Sequence, residues 1–505
     1  MQDIQTLGIV GAGAMGRGIA QIAAQAGLRV RFYDTNAQAV AAALESLRQT
    51  WDKLVQKGKL GESEARAALA RIEPASSLQA LADCQAVIEA IVERLDIKRT
   101  LFAELESAVA DDCILASNTS SLSITAIAAA CRRPARVAGC HFFNPVPLMK
   151  VVEVIDGLRG DPAVGDALMA LVRRMGHTAV RAKDMPGFIV NHAGRGMNTE
   201  GLRVAQEAVA GFDQIDAIMR EQAGFRMGPF ELMDLTGLDV SQPVMESIYQ
   251  QFYDEPRYTP SPIAAARQAG GLFGRKTGEG FYAYADGQKQ VPAEPAVPAL
   301  PEGLRVWVSR HSSQGHARAT ALLARLGAAV CEKPEAGALC IVTPYGQDVS
   351  TSIVQQGLEA ERTVALDTLH EPAPGRRRTL MLSPATLPAW RDAAHALLAG
   401  DGAPVSVIAD SAGFVAQRIA AHIVNIACDI AQQGIATPED IDRAVTLGLG
   451  YPMGPLAMGD ALGAGRIMEI LVNMQRVTGN MRYRPSLWLQ RRVQLGMPLL
   501  ASAAA

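Results

Sequence analysis

A histidine, a glutamate, an asparagine and a run of hydroxyls stand in this sequence at places where one reaction could use them all. His141 closes the apolar run RVAGC and precedes Phe142-Phe143-Asn144-Pro145, and further on Glu153 interrupts the otherwise apolar VVEVI. A carboxylate on one nitrogen of an imidazole fixes the tautomer and leaves the other nitrogen to exchange a proton near neutral pH, which is what oxidation of an alcohol asks of a side chain. Both residues also have plainer readings. A histidine at the end of a buried strand can be a packed core residue, and strand alternation can turn Glu153 to solvent. Ser117 to Ser121, in SNTSSLSITAIA, lie just before a helical pattern and can either cap it or face a ligand. Asn191, in KDMPGFIVNH, falls one turn into a predicted helix, where it is either solvated or an uncharged donor for a carbonyl.

The elements that must position these groups begin at the N-terminus. TLGIV reads as a strand, Gly11-Ala12-Gly13-Ala14-Met15-Gly16 as a turn, and RGIAQIAAQAG as a helix stopped at Gly27. Glycines there permit a tight turn and close approach to a pyrophosphate, and the helix start offers unpaired amides to the anion. LRVRFYD is a second strand ending at Asp34, where a carboxylate would accept adenosine ribose hydroxyls. The following TNAQ has no arginine for a 2′-phosphate, which favours NAD over NADP. The plain alternative is a tight turn with Asp34 capping the next helix. QAVIEAIVE, CILASN and RVAGCHFF then alternate with helical stretches such as DIKRTLFAELESAVA. That alternation predicts a mostly parallel, doubly wound sheet, with Glu93, Ser117 to Ser121 and His141 at the carboxyl ends of strands, where such sheets bind ligands.

The whole chain has 505 residues, enough for about three or four domains. With 49% hydrophobic and 20% charged residues and a net charge of −3, it is neither a disordered chain nor a nucleic-acid binder. MQDIQTLGIVGAG has no signal-peptide pattern and no apolar run is long enough for a bilayer, so the expectation is a cytoplasmic protein without a membrane partner. Seven cysteines without a CxxC pair fit a reducing compartment, and no cluster of ligating residues suggests a metal.

After residue 285 the composition shifts to the proline-rich QKQVPAEPAVPALPEG, read as a linker over 286–302. LRVWVS, ALCIVTPYG, RTVALDT, RTLMLS and PVSVIAD then make residues 303–408 α/β again, without a GxGxxG turn and so without an expected dinucleotide. PGFIVN at Gly187 returns as AGFVAQ at Gly413, and 413 − 187 = 226. The same offset carries Ile215-Asp216 to Ile441-Asp442, Met227-Gly228-Pro229 to Met453-Gly454-Pro455, and Asp234-to-Gly237 to Asp460-to-Gly463. An all-α domain made twice, over 185–285 and 409–505, follows. The repeat sets Gln417 against Asn191. Upstream, Ser383-Pro384 offers the match to Asn144-Pro145, which sets Leu380 against His141, so the second copy keeps the packing and lacks the base. Arg418, Arg443 and Arg466 of the second copy are either solvated or able to meet a distal carboxylate on a substrate.

GAGAMGRGIAQIAAQAG, SNTSSLSIT, HFFNPVPLMKVVEVI, KDMPGFIVN and RKTGEGFY occur in order over residues 1 to about 285, and in them the chain resembles the NAD-dependent 3-hydroxyacyl-CoA dehydrogenases. The resemblance implies a Rossmann domain over 1–184, a helical domain, a degenerate α/β region and a second helical domain. It implies that His141 is the general base, that Glu153 orients and charges it, and that Ser120 and Asn191 hold the substrate oxygen and thioester carbonyl. Gly11, Gly13, Ala14, Met15, Gly16, Asp34, Glu93, Lys98, Ser120, Asn144 and Lys276 would face NAD. Thr50 and Lys57 would meet CoA, with threonine standing where serine is usual. The two-copy length and the ending YRPSLWLQRRVQLG are similar to the bacterial members of phenylacetate breakdown, which implies (S)-3-hydroxyadipyl-CoA as substrate. 3-Hydroxybutyryl-CoA is the alternative, and a noncatalytic NAD-binding protein the distant one. The helical-domain pairing that a dimer of the shorter enzyme would make is expected inside one chain, with a further homo-oligomer left open.

Overall fold

The computed structural model describes residues 3–501, which separate into two compact units. One holds the chain up to His192 together with Gln433–Leu449, and the other holds Ala193–Gln432 and the chain from Gly450 on.

The first unit is built on eight strands: β1 (Thr6–Val10), β2 (Arg29–Tyr33), β3 (Ile72–Pro74), β4 (Ala86–Glu89), β5 (Ile114–Ser117), β6 (Val137–Phe142), β7 (Val151–Asp156) and β8 (Thr178–Lys183). Their order is β3-β2-β1-β4-β5-β6-β7-β8. Every neighbouring pair is parallel except β6 and β7. Helices on both faces explain why β1, β4, β5 and β6 are buried along their whole length and why their sequences read as apolar runs rather than alternating ones. β3 and β8, which the sequence reading passed over, lie at the two edges. The helix Pro438–Leu449 comes from the second repeat and packs on β7 and β8 of this sheet. The Lys183 amide donates to Ile435 O at 2.8 Å, and the Arg181 amide donates to Asp440 Oδ2 at 3.2 Å.

The second unit carries β9 (Tyr284–Ala285) and β10 (Gln288–Lys289) as a small hairpin, so the segment read as linker begins with paired backbone. Its larger sheet comprises β11 (Arg305–Val308), β12 (Ala329–Cys331), β13 (Leu339–Val342), β14 (Thr363–Leu366), β15 (Arg378–Leu382) and β16 (Val405–Ile408), in the order β12-β11-β13-β14-β15-β16. Its one antiparallel pair is β14 with β15. Helices of the two repeats meet here. Arg195–Gln206 crosses Val415–Gln432 so closely that a Cβ on Gly196 would lie 2.8 Å from the Ile423 Cα. The recurring aspartates are staples: Asp234 accepts the amides of Phe281 and Tyr282 and the hydroxyl of Tyr284, and Asp460 accepts the amides of Leu499 and Leu500.

Sheet register corrects the upstream part of the repeat. In the first sheet His141 faces Glu153, and in the second the Asp367 amide donates to Thr379 O as the next rung beyond Leu366 and Leu380. The 226-residue offset takes His141 to Asp367 and Glu153 to Thr379 without a gap, so Asp367, and not Leu380, stands where the histidine does. The proline of Ser383-Pro384 misled because it follows a strand, but that strand corresponds to β7 rather than β6.

Arg418 is a second correction. It is 1% exposed, and its guanidinium donates to Glu200 at 2.9 Å and Glu207 at 2.6 Å and to the Tyr483 hydroxyl at 3.0 Å. Glu200, with no exposed surface, also accepts from Arg482 at 2.9 Å. Arg443 pairs with Asp440, and Arg466 donates to Leu462 O while lying over the Tyr345 ring. Removing one member of a buried ion network leaves the other charges unpaired. Arg418→Met is expected to destabilise the second unit by about 3–5 kcal/mol, read as a lowered denaturation midpoint in urea.

Candidate functional site

The one antiparallel pair of the first sheet, β6 with β7, makes the central contact. Directly opposed residues in an antiparallel pair point to the same face, so His141 opposite Glu153 brings imidazole and carboxylate side by side. His141 Nδ1 and Glu153 Oε2 are 2.7 Å apart. The other carboxylate oxygen, Oε1, accepts the amides of Ile189 and Val190, both at 2.9 Å. Those amides open the short helix Val190–Ala193 after a turn in which Gly187 and Phe188 are left-handed, at φ 75° and 48°. Glu153 is thus wholly buried with three donors, and His141 is 4% exposed. Phe143 and Phe188 flank the ring at 4.4 and 5.9 Å between centroids, which holds its plane. Nε2 takes no part in the pair with Glu153 and is the nitrogen available for chemistry.

Around this pair the ends of β4 and β5 hold a polar network. Asn118 Oδ1 accepts the Phe142 amide at 2.8 Å, tying β5's end to the histidine's strand. Ser120 is half-buried, and its carbonyl accepts Asn191 Nδ2 at 3.4 Å, a long bond that still brings the two predicted polar residues together. Glu93 Oε1 gathers the Thr119 hydroxyl at 2.6 Å, the Ser120 amide at 2.9 Å, and the Ser121 amide and hydroxyl at 3.1 and 3.0 Å. Lys98 bridges Glu93 at 3.3 Å and Glu89 at 2.5 Å, and Glu89 also accepts the Ser117 hydroxyl at 2.7 Å. Partial burial pushes the Glu93 carboxyl up, but the Lys98 charge and the converging hydroxyls and amides outweigh it and hold the group below the usual carboxylate range.

The glycine turn fits a dinucleotide. Gly11, at φ 107°, lies so close to the β4 end that a Cβ would sit 2.5 Å from Ala90 O, and a Cβ on Gly16 would meet Gly11 O at 1.8 Å. Gly13, by contrast, has open space where a Cβ would be, and it begins the helix Ala14–Gln25 without a side-chain cap. Ala14 and Met15 are the first helical residues, with Met15 packed partly into the core. Asp34 stands at the end of β2 and accepts the Ala12 amide at 2.8 Å, which locks the turn to the neighbouring strand. In the second unit the helix after β11 is capped by Ser312, whose hydroxyl accepts the Gly315 amide, so a side chain takes the place open at Gly13.

The remaining predicted residues have other partners or surroundings. Asn144 is exposed in the loop beyond β6, joined to Pro145 by a cis peptide. Thr50, on the helix Ala37–Gln56, returns its hydroxyl to Ser46 O at 2.8 Å, and Lys57 follows that helix as an exposed residue. Lys276 belongs to the other unit, where it pairs with Asp239 and lies over the Phe273 ring. Glu89 and Asp184, which the sequence alone did not single out, also belong to this network, and Asn118, within the run Ser117 to Ser121, ties it to β6. Asp184 accepts the Ser123 hydroxyl and the Ile124 and Thr125 amides and so anchors the helix after the serine run. Glu89, Glu93 and Lys98 share one short stretch, and that recurrence of charge in an apolar run was the available signal. Among the described residues, no three His, Cys, Asp or Glu side chains converge on a metal, and no helix is long and apolar enough to cross a membrane.

Comparison with known proteins bears on the chain as a whole. Residues 6–185 match the family model of the 3-hydroxyacyl-CoA dehydrogenase NAD binding domain, and residues 187–284 and 413–502 both match that of the C-terminal domain. The chain is 36% identical to the 3-hydroxyadipyl-CoA dehydrogenase of Escherichia coli (strain K12), over 98% of each chain. It superposes with a TM-score of 0.87 on the crystal structure of a 3-hydroxybutyryl-CoA dehydrogenase from Escherichia coli K12 substr. MG1655, at 35% identity and covering 98% of this chain and 99% of that one. An (S)-3-hydroxybutyryl-CoA dehydrogenase from Ralstonia eutropha is 40% identical, with a TM-score of 0.55, over 56% of this chain and 100% of its own.

The network makes two stability predictions. Lys98→Met leaves Glu89 buried without its cation and is expected to cost about 3–5 kcal/mol in urea denaturation. Because Glu93 has a lowered folded value, its contribution is fully present above the ordinary glutamate pKa of about 4.3 and disappears as pH falls through the lowered one. Stability curves of wild type and Glu93→Gln are therefore expected to differ near neutral pH and to converge in acid.

Proposed function

The chain belongs to the 3-hydroxyacyl-CoA dehydrogenase family, and from that membership we propose that His141 and Glu153 carry its reaction, with 3-hydroxyadipyl-CoA as the substrate. The activity is the NAD-dependent interconversion of a 3-hydroxyacyl-CoA and its 3-oxoacyl-CoA. NAD, when bound, supplies the acceptor for the hydride that leaves C3 of the substrate. His141 takes the hydroxyl proton at Nε2, and the positive charge so gained is offset through Nδ1 by Glu153, which three donors already hold in place. In the reverse direction the same nitrogen returns the proton to the 3-oxo oxygen. Ser120 and Asn191 are the donors for the substrate oxygen and thioester carbonyl, and Gly11, Gly13, Ala14, Met15, Gly16, Asp34, Glu93, Lys98 and Asn144 form the NAD side. Thr50 and Lys57 would meet the CoA moiety.

The observation that carries this reading is the 2.7 Å contact between a buried imidazole and a fully buried carboxylate at the end of a switch-point sheet. A packed core histidine needs no ionic partner, and a protein that only bound NAD would need neither residue. The identity over nearly the whole chain to a 3-hydroxyadipyl-CoA dehydrogenase supports the dicarboxylic substrate, with which a role in phenylacetate breakdown fits, and the likeness to the (S)-3-hydroxybutyryl-CoA dehydrogenase of Ralstonia eutropha supports the (S) alcohol; a cytoplasmic enzyme belongs to the same reading. A second reading, 3-hydroxybutyryl-CoA, is favoured by the equally extensive likeness to a structure of that name.

Two measurements test these assignments. His141→Gln is expected to lower kcat by about 10²–10⁴-fold with NADH affinity unchanged, measured by NADH fluorescence; turnover within a few-fold of wild type would remove the base from the mechanism. NADH oxidation with 3-oxoadipyl-CoA and acetoacetyl-CoA side by side is expected to give the higher kcat/KM for the dicarboxylic thioester, and the opposite preference would establish the short-chain reading.

A further inference from the structure

The second copy has no histidine at the position matching His141, which is Asp367, yet its helix Pro438–Leu449 lies behind the first repeat's pair. Val190 donates its amide to Glu153 and is itself 1% exposed. What packs against Val190 is Gly448. A Cβ there would stand 3.0 Å from both Val190 methyl carbons and 3.5 Å from Val151 Cγ1 on β7. The helix has little freedom to retreat, because Ile435 and Asp440, at and before its first turn, are bonded to consecutive outward positions of β8.

The other copy shows what a side chain does at this position. The 226-residue offset pairs Gly448 with Gln222, Val190 with Ala416, His141 with Asp367 and Glu153 with Thr379. Gln222 Nε2 donates to Asp367 at 2.8 Å, and its Oε1 accepts the Thr379 hydroxyl at 2.5 Å. Gln417, opposite number of Asn191, adds a bond to Asp367 at 2.9 Å. In that copy a long side chain from the corresponding helix, with alanine at the position of Val190, reaches both of the strands' paired residues. In the active copy glycine, next to valine, leaves the corresponding place clear.

We propose that Gly448 is a positioning residue for the first repeat's reaction: by carrying no side chain, it lets Val190 present its amide to Glu153 and keeps the second repeat's helix from entering the His141–Glu153 site. The second half of the chain thereby supports catalysis without containing a base. This rests on the assignment of His141 and Glu153 as the reacting pair.

The test uses the full chain with Gly448→Ala, Gly448→Gln and the double variant Gly448→Ala/Val190→Ala. Gly448→Ala is expected to lower kcat about ten-fold, because small displacements of a positioned group are costly, and Gly448→Gln to lower it further, with NADH affinity within about two-fold of wild type in both. The double variant, which places at Val190 the alanine found at the matching position 416, is expected to recover most of the loss. Hydrogen exchange at the Ile189 and Val190 amides is expected to accelerate in Gly448→Ala. Unchanged kcat in Gly448→Ala, a parallel loss of NADH affinity, failure of Val190→Ala to rescue, or unaltered exchange would each overturn the proposal. The exchange result does not depend on the reaction. An active His141→Gln enzyme would therefore refute the catalytic pair while leaving the support of Glu153 by this helix to be judged on its own.

Discussion

A carboxylate with no solvent contact sets the terms for the first unit. Taking an ionised glutamate out of water is costly unless charge and hydrogen bonds compensate, and Glu153 is compensated from three directions: an imidazole across one strand and two amides from the start of a helix. Each direction constrains a different part of the fold. The imidazole fixes the register of β7 against β6, since residues directly opposed across that pair share a face of the sheet. The amides require the chain leaving β8 to turn sharply at Gly187 and Phe188 before entering its helix. Phe143 and Phe188 then fill the space around the ring.

The second copy fills the corresponding place with polar groups that bond to one another. Asp367 is buried and receives Gln417, Gln222 and the Leu369 amide; burial raises its carboxyl above the ordinary range in spite of those donors. Gln417 in turn accepts the Gly346 amide and donates to Pro344 O. A duplicated site that had merely lost its base would leave buried polar groups unmet, at about 1–3 kcal/mol each. Here they satisfy one another. Ser312 closes the glycine turn's counterpart in the same way, by supplying an oxygen from the chain itself.

Much of this was legible in the sequence because the signals were local. The strand, glycine turn and helix at residues 6–25 form one contiguous pattern, and the gapless repeat revealed two helical copies from spacing alone. His141 and Glu153 were visible as polar interruptions of apolar runs, but whether they faced each other depended on strand direction and register, which composition does not encode. The three-residue strands β3 and β12 lay below what periodicity can resolve, and β8, though six residues long, is an edge strand whose Arg181 and Lys183 break the apolar run. Asp367 was overlooked because matching Ser383-Pro384 to Asn144-Pro145 shifted the alignment by one strand. Arg418 looked like a surface cation because its partners, Glu200 and Glu207, are distant in sequence and reach it only through the crossing of two helices.

The exchange of helices between repeats has a further meaning for how this chain can change. Gln222 and its π-helical turn lie against β15, while Pro438–Leu449 lies against β7 and β8. An assembly of two identical chains carries every substitution twice, once on each side of its axis, so a change that favours one site is imposed on the other. Covalent fusion lifts that symmetry. Here glycine could face one sheet and glutamine the other, one histidine could persist while its counterpart became aspartate, and each half could be selected for a different task within a single inherited unit.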